Sequence, residues 1–158
     1  LVRGETGGEQ FLRLMLLLVV FAVCGYLFWQ QNEKQLDRIM AKSAIWDKAK
    51  LLSSDQRQAL VKLAKYYREE YGLELCIHIR DDEVALPVLN AKTIFIGLNP
   101  ATEQVLVDLP PLVKSALGKD YQYELQNKHF PAFFVEGQWR KGLLLAVTGI
   151  WERLQETT

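Results

Sequence analysis

The chain has few of the residues that build metal or redox sites, since its 158 residues include two cysteines and two histidines. Cys24 and Cys76 stand far apart, with no Cys-x-x-Cys pair and no Cys/His spacing, which argues against a zinc site or a disulfide framework. The P-loop, G-x-G-x-x-G and H-E-x-x-H motifs are all missing. Charge of one sign is missing too, because 19 Lys and Arg balance 19 Asp and Glu. We therefore expect no nucleic-acid partner.

What the chain does have is one long apolar run near its amino end. Residues 14–29 carry no charged side chain, and Arg13 is the only charge in the preceding turn. At about 1.5 Å per residue, a helix over residues 11–29 spans most of the roughly 30 Å of membrane hydrocarbon. We predict a transmembrane signal anchor at residues 11–29, preceded by a short tail at residues 1–10.

The apolar run has alternative interpretations, and its orientation in the membrane is open. A cleaved signal peptide is disfavoured because the run exceeds the usual apolar length and no small-x-small cleavage site follows it. The chain starts at Leu1 and not at Met, so it is also interpreted as a fragment of a larger membrane protein or as the product of a non-standard start. The basic residues on the two sides of the run do not favour an orientation. They are Arg3 and Arg13 before it, and Lys34, Arg38 and Lys42 after it.

A polar stalk and a folded domain are predicted after the anchor. Residues 33–50 are mixed in charge with scattered apolar side chains, a composition that suits a helix. We place the stalk at residues 30–45 and the domain at residues 46–155. Ser53 and Gln56 match a capping box and predict the start of the domain's first long helix.

The domain's remaining pattern predicts strands followed by helices. Residues 73–79 alternate between apolar and polar side chains, as in a strand with one buried face. The apolar runs 93–98 and 105–109, on either side of an Asn-Pro turn, predict a hairpin. A short helix through residue 117 and a second over residues 120–127 follow.

The last predicted helix carries an apolar stripe that we expect to cover the sheet. The stripe consists of Trp139, Leu143, Val147, Ile150 and Leu154. With the elements in this order, the predicted fold class is α/β (α+β), a mixed sheet flanked by helices and preceded by one transmembrane helix.

Two sequence patches stand at the ends of the predicted domain. The first is Trp46-Asp47-x-Ala49-x-Leu51-Leu52-Ser53, and the second is Pro131-x-x-Phe134-x-x-Gly137-x-Trp139-x-x-Gly142-Leu143. They resemble the opening D-x-A-x-x-L-s and the closing P-x-F-x-x-G-x-y/w-x-x-G-l of the TPM domain, a family named for thylakoid lumen, photosystem II assembly and receptor accessory proteins. The resemblance covers roughly residues 46–154, and it implies a TPM-domain-like fold.

The chain departs from this family where the family binds calcium and where its reported phosphatase activity resides. Members usually carry a helical insertion after the first strand, and acidic and glycine-rich stretches around the next two. Here residues 81–90 bridge the strands, residues 99–103 replace an Asp-Arg turn, and residues 108–111 replace the glycine-rich stretch. No site of the family therefore carries over residue by residue, and we assign no catalytic residue.

Asp81 and Asp82, followed by Glu83, are the candidate metal ligands. They follow a predicted strand, at the edge where α/β sheets tend to place ligands. Carboxylate oxygens suit calcium or magnesium, with Asp108 or backbone carbonyls as further ligands. The competing interpretation is a solvated loop, because three adjacent acids lack the alternate spacing that directs several carboxylates to one ion.

Histidines and aromatic residues are interpreted as structural. His78 lies in a predicted strand facing away from the apolar stripe, and His129 has no carboxylate partner in the sequence. A cluster of aromatic residues is either a binding platform or, as we favour, the core beneath the last helix. Its members are Phe130, Phe133, Phe134 and Trp139.

The leading functional hypothesis is a membrane-anchored, extracytoplasmic TPM-like domain acting as an accessory or assembly factor for an envelope protein complex, without catalysis of its own. The alternative is a divalent-metal-dependent phosphatase of the TPM type that uses Asp81 and Asp82. The resemblance implies an exported domain. We therefore expect a single-pass protein of the bacterial inner membrane, bound through residues 11–29, with residues 30–158 in the periplasm beside a protein partner.

Overall fold

The computed structural model of the protein describes residues 15–27 and 44–157. The chain divides into two compact units, Leu1–Met40 and Ala41–Thr158. In the first unit, residues 15–27 form helix α1, whose side chains are exposed. Across these two described stretches, no helix combines the length and the apolar character needed to cross a membrane.

Much of the predicted amino-terminal organisation lies outside the described residues. The predicted tail at residues 1–10 is entirely outside them. So are residues 11–14 and 28–29 of the predicted anchor, and residues 30–43 of the predicted stalk. The anchor and the stalk therefore stay predictions.

The second unit is built on a four-stranded sheet with the order β1-β2-β3-β4. The first three strands are parallel, and β4 runs antiparallel to β3. This arrangement confirms the predicted mixed sheet and the predicted hairpin. The strands are β1 Ile45–Asp47, β2 Glu74–Ile79, β3 Thr93–Asn99 and β4 Gln104–Asp108.

One long helix links the first two strands, and a series of helices follows the fourth. Helix α2 starts at the predicted capping box, where Ser53 Oγ accepts from the Gln56 N–H at 3.2 Å and Gln56 Oε1 accepts from the Ser53 N–H at 3.0 Å. It ends before Gly72, whose φ of 62° suits glycine. The helices are α2 Ser54–Tyr71, α3 Pro111–Leu117, α4 Tyr121–Glu124, a π-helix Leu125–His129, α5 Phe130–Val135 and α6 Trp139–Thr157.

A single hydrophobic core joins the helices to one face of the sheet. Alternate strand residues point into it because side chains of a strand change face at each position. The predicted stripe of α6 is buried in this same core, as expected. Tyr67 of α2 adds a polar link, since its hydroxyl donates to the Val147 carbonyl of α6 at 2.6 Å. The strand residues of the core are Ile45, Leu75, Ile77, Ile79, Ile94, Ile96, Leu98 and Val107.

The structure corrects two local predictions. Residues 45–47, predicted within a helical segment, form β1, because three residues at a sheet edge are too few to show an alternating pattern. The helix predicted over residues 120–127 is present but longer, since α4, the π-helix and α5 follow one another from Tyr121 to Val135. Pro131 does not end this helical run, because it lies in the first turn of α5. The N–H that proline lacks would have no partner within α5 at that position.

Candidate functional site

The carboxyl ends of the three parallel strands meet at one edge of the sheet, where α/β folds place ligands. At this edge β1 ends with Asp47, β2 is followed by Arg80, and β3 ends with Asn99. The predicted metal ligands Asp81 and Asp82 lie at the same edge, because the Asn99 side chain contacts the backbone of Asp82. The predicted metal ligands thus lie at the carboxyl ends of the parallel strands.

Asp47 holds the loop that leads into α2. Its side chain is nearly inaccessible, with 7% of the residue exposed. One carboxylate oxygen accepts from the Leu51 N–H at 3.0 Å, and the other accepts from the Leu52 N–H at 2.9 Å. Both oxygens are thus occupied by the chain's own backbone. The spacing between this aspartate and the leucines in the first patch has a structural explanation.

Asn99 ties the same edge together, a role that the sequence pattern did not show. The residue is 1% exposed. Its Nδ2 donates to the Asp82 carbonyl at 2.9 Å, while its Oδ1 accepts from the N–H groups of Ala101 and Thr102 at 3.0 and 3.3 Å. The side chain therefore fixes the β3–β4 turn and the segment after β2 at once. The Asn-Pro turn signal identified the turn but not the second contact.

Asp82 is paired with Arg80. The guanidinium and carboxylate form a two-point contact, through Nε and Oδ1 and through Nη2 and Oδ2, the latter at 2.6 Å. The hydrogen bond from Arg80, aided by its charge, lowers the pKa of Asp82 below its ordinary value. The pairing therefore stabilises the ionised form of Asp82, and 61% of its side chain is exposed.

The metal-site prediction lacks a third ligand in the structure. Asp81 and Glu83 are exposed beside Asp82, but no group of three acidic, histidine or cysteine side chains converges within residues 15–27 and 44–157. Calcium prefers six to eight oxygen ligands, and magnesium requires nearly octahedral ones. The donor set on these residues therefore does not fit either ion by itself, and the metal role of Asp81 and Asp82 stays a prediction.

Next to this edge, an aromatic row crosses the sheet face that lies opposite the helices. We use this name for Trp46, His78 and Phe95. Trp46 and His78 are paired in register, and their rings lie 5.1 Å apart in an edge-on arrangement. The His78 and Phe95 rings lie 5.2 Å apart. Arg80 covers the Trp46 ring at 4.9 Å, while 41% of Trp46 remains exposed.

The aromatic row contains no activated nucleophile. Cys76 Sγ lies 3.4 Å from His78 Nε2. Burial, followed by the charge of Glu74, raises the pKa of the Cys76 thiol. Burial, followed by the charge of Arg80, lowers the pKa of His78. A thiol beside a neutral imidazole results, and not the thiolate–imidazolium pair that cysteine nucleophiles use.

The segment between β2 and β3 covers part of the same face. Val84 lies directly over Gly97, so that a Cβ atom built at Gly97 would come within 2.4 Å of Val84 Cγ1. Glycine at this position therefore allows the segment to lie against β3. Further along the segment, Leu86 and Val88 are exposed.

His129 and the aromatic cluster before α6 are structural, as expected. His129 Nε2 donates to the Gly142 carbonyl at 2.8 Å, which joins the π-helix to α6. Phe130, Phe134 and Trp139 are buried in the core. At Gly142 an added Cβ would lie 2.7 Å from the Phe133 ring, so this glycine allows α5 and α6 to pack closely.

Comparisons with known proteins place the fold but not the function. No family model matches the sequence, and no curated protein shows a significant match. The chain is similar to the solution NMR structure of the N-terminal domain of a protein from P. gingivalis, with a TM-score of 0.64. The match has 14% sequence identity and covers 77% of this chain and 88% of that chain. The two chains share a fold.

Proposed function

We propose that the chain is a membrane-anchored, extracytoplasmic, divergent TPM domain that serves as a non-catalytic accessory or assembly factor for an envelope protein complex. In this proposal residues 11–29 are the single-pass anchor in a bacterial inner membrane, and residues 46–155 lie in the periplasm. One observation carries the non-catalytic part. The side chains of Asp47, Arg80, Asp82 and Asn99, at the carboxyl ends of the parallel strands, are engaged with the chain's own backbone or with each other.

The TPM assignment is supported by the structural roles of both patches. In the first patch Asp47 accepts two backbone hydrogen bonds from the loop before α2. In the second, Gly142 allows the close approach of Phe133, and Trp139 begins the buried stripe of α6. Both patches thus mark positions where the fold requires a particular residue. The likeness to the P. gingivalis domain supports the same architecture.

A protein partner is supported by the exposed end of the aromatic row. Tryptophan and arginine are enriched among the residues that dominate protein–protein binding energies. Trp46 is 41% exposed, and its ring is held in place by Arg80 on one side and His78 on another. A rigid aromatic side chain of this kind loses little conformational freedom when a partner covers it. We expect the partner complex to contact this row.

Photo-crosslinking in cells tests the partner. A photoreactive phenylalanine analogue at position 46 is expected to crosslink to one envelope protein. The matched control is position 66, where Tyr66 is also exposed, at 49%, but lies on α2. Equal crosslinking from both positions, or none from position 46, contradicts a specific contact at the aromatic row. A reporter fused after Thr158 that is active only in the cytoplasm contradicts the topology.

The second candidate, a divalent-metal-dependent phosphatase, rests on the position of Asp81 and Asp82 after a parallel strand. Its test uses the full chain purified in a mild detergent, with p-nitrophenyl phosphate as the substrate and calcium or magnesium as the metal. We expect no turnover above buffer and no change in Tm between excess calcium and chelator. Asp81→Asn and Asp82→Asn are expected to shift stability by no more than about 0.5 kcal/mol. Metal-dependent turnover that Asp82→Asn abolishes refutes the non-catalytic proposal and supports the phosphatase.

A further inference from the structure

A polar cleft lies beside β4, at the opposite edge of the sheet from β1 and Trp46. Its volume is about 370 Å³. Side chains from α3, α4, the π-helix and the turn between α3 and α4 line it. They are Lys114, Lys119, Gln122, Tyr123, Gln126 and Asn127.

Two of these side chains cap the free edge of β4. Gln122 Oε1 accepts from the Leu109 N–H at 3.1 Å, and Gln126 Oε1 accepts from the Val107 N–H at 3.1 Å. A backbone N–H requires an acceptor, so these contacts fix which end of each carboxamide is oxygen. The Nε2 groups, each with two N–H donors, take no part in these contacts with β4. Every buried side-chain nitrogen and oxygen of the described residues has a partner, so these donors reach the accessible surface of the cleft.

The spacing of the two carboxamides matches that of an extended peptide. Val107 and Leu109 are two positions apart on a strand, so their N–H groups lie about 6.7 Å apart. Gln122 Oε1 and Gln126 Oε1 accept from these two N–H groups, so we expect the two carboxamide oxygens to lie at a similar separation. The carbonyls on one side of an extended peptide recur every two residues and fit this separation.

The charge of the cleft favours an acidic ligand. Lys114 Nζ lies 3.0 Å from Asp108 Oδ1, so its charge is already balanced. Lys119 is exposed and has no acidic partner among the described residues. Asn127 Nδ2 donates to the Tyr123 carbonyl at 3.0 Å, which fixes that side chain. Among the residues that line the cleft, Lys119 is thus the one described cation without an ion pair, and it stands next to several hydrogen-bond donors.

We propose that this cleft binds a short, extended, acidic peptide segment of a protein partner. Alternate main-chain carbonyls of the segment accept hydrogen bonds from Nε2 of Gln122 and of Gln126, and one of its carboxylates pairs with Lys119. The cleft is separate from the aromatic row. Its occupancy therefore does not depend on the proposed function of that row.

The test is an NMR titration of the isotopically labelled full chain in a mild detergent at low ionic strength. The probe is acetyl-Asp-Glu-Asp-Glu-amide, followed through the side-chain amide signals of Gln122 and Gln126. The expected result is a saturable shift of both signals, which salt weakens. The uncharged acetyl-Asn-Gln-Asn-Gln-amide is expected to bind at least about tenfold more weakly, since tenfold corresponds to 1.4 kcal/mol.

Isosteric variants separate ligand binding from capping. Gln122→Glu and Gln126→Glu keep an oxygen acceptor for β4 but remove the donors and add negative charge. We expect each to retain the fold and to weaken binding of the acidic peptide at least about tenfold. Lys119→Gln is expected to weaken it several-fold. Lys128→Gln, an exposed lysine of the π-helix that does not line the cleft, is the matched control and is expected to bind like the unmodified chain.

Several results overturn the proposal. One is the absence of a saturable shift with the acidic peptide. Another is inorganic phosphate that moves the same signals equally and displaces the peptide, which identifies a general anion site. Equal weakening by Lys119→Gln and Lys128→Gln identifies nonspecific charge attraction. If the glutamate variants do not fold, the comparison of these two lysine variants decides, because both lysines are exposed.

Discussion

The two faces of the sheet are built from different kinds of side chain. The face toward the helices is aliphatic across all four strands and buried, as Ile77 and Ile96 at 0% exposure show. The opposite face mixes an exposed Trp46, a half-buried His78 and a glycine at position 97, beneath an extended segment. The face toward the helices is stabilised by the burial of apolar side chains away from water, and many combinations of aliphatic side chains achieve this burial. The opposite face depends on the shapes and charges of individual side chains, so we expect the functional surface on that face.

The largest expected contrast is between two tryptophans on these two sides. Trp139→Ala removes a buried aromatic ring from the helix side and is expected to lower the free energy of unfolding by about 3–5 kcal/mol. Trp46→Ala removes a ring that is 41% exposed, with its contacts to Arg80 and His78, and is expected to cost about 1–2 kcal/mol. Urea unfolding measures both. If the two losses are equal, the open face contributes to stability as much as the core.

A smaller effect is expected where the extended segment meets β3. Gly97→Ala places a methyl group within reach of Val84 and is expected to destabilise the chain by about 1–3 kcal/mol. Val84→Ala shortens the opposing side chain and should recover much of that loss in the double variant. A double-mutant cycle from thermal unfolding gives the coupling. Additive effects of the two changes mean that the segment does not rest on Gly97.

The smallest expected effect concerns pH. Burial and Arg80 lower the pKa of His78, so the folded chain binds this proton less readily than the unfolded chain, whose histidine pKa is about 6.5. The stability that neutral His78 contributes is therefore fully present at higher pH and falls as the pH drops through about 6.5. His78→Gln does not take up the proton and should lose less stability on acidification. Thermal unfolding at about pH 7.5 and pH 5.5 measures the difference. Identical losses in both proteins refute the role of His78.

Patterns long enough to show a period were sufficient to predict much of this fold. The stripe of α6 repeats over several turns, and the capping box of α2 combines two specific side chains, so both are visible without tertiary information. The strands of the β3–β4 hairpin are apolar runs on either side of a recognisable turn. In these elements the local sequence and the fold agree.

The rest depends on contacts between residues far apart in the sequence. β1 is only three residues long and becomes a strand by pairing with β2, across the whole of α2. Gln122 and Gln126 look like ordinary polar residues of a helix until β4 is placed beside them. Asp82 was selected for its charge, but its pairing with Arg80 and its backbone contact with Asn99 depend on how the strand ends meet. Contacts of this kind leave no periodic pattern in the sequence.

The position of α6 after all four strands has a consequence for synthesis on the ribosome. β1 emerges first but has no partner until β2 follows, whereas β3 and β4 pair across a short turn as soon as they emerge. The buried side of α6 completes the hydrophobic core that the sheet and α2 share, and the Tyr67–Val147 contact joins these two long helices. A nascent chain that has not yet released residues 139–157 therefore exposes part of this core to chaperones and proteases. Completion of α6 protects these apolar side chains.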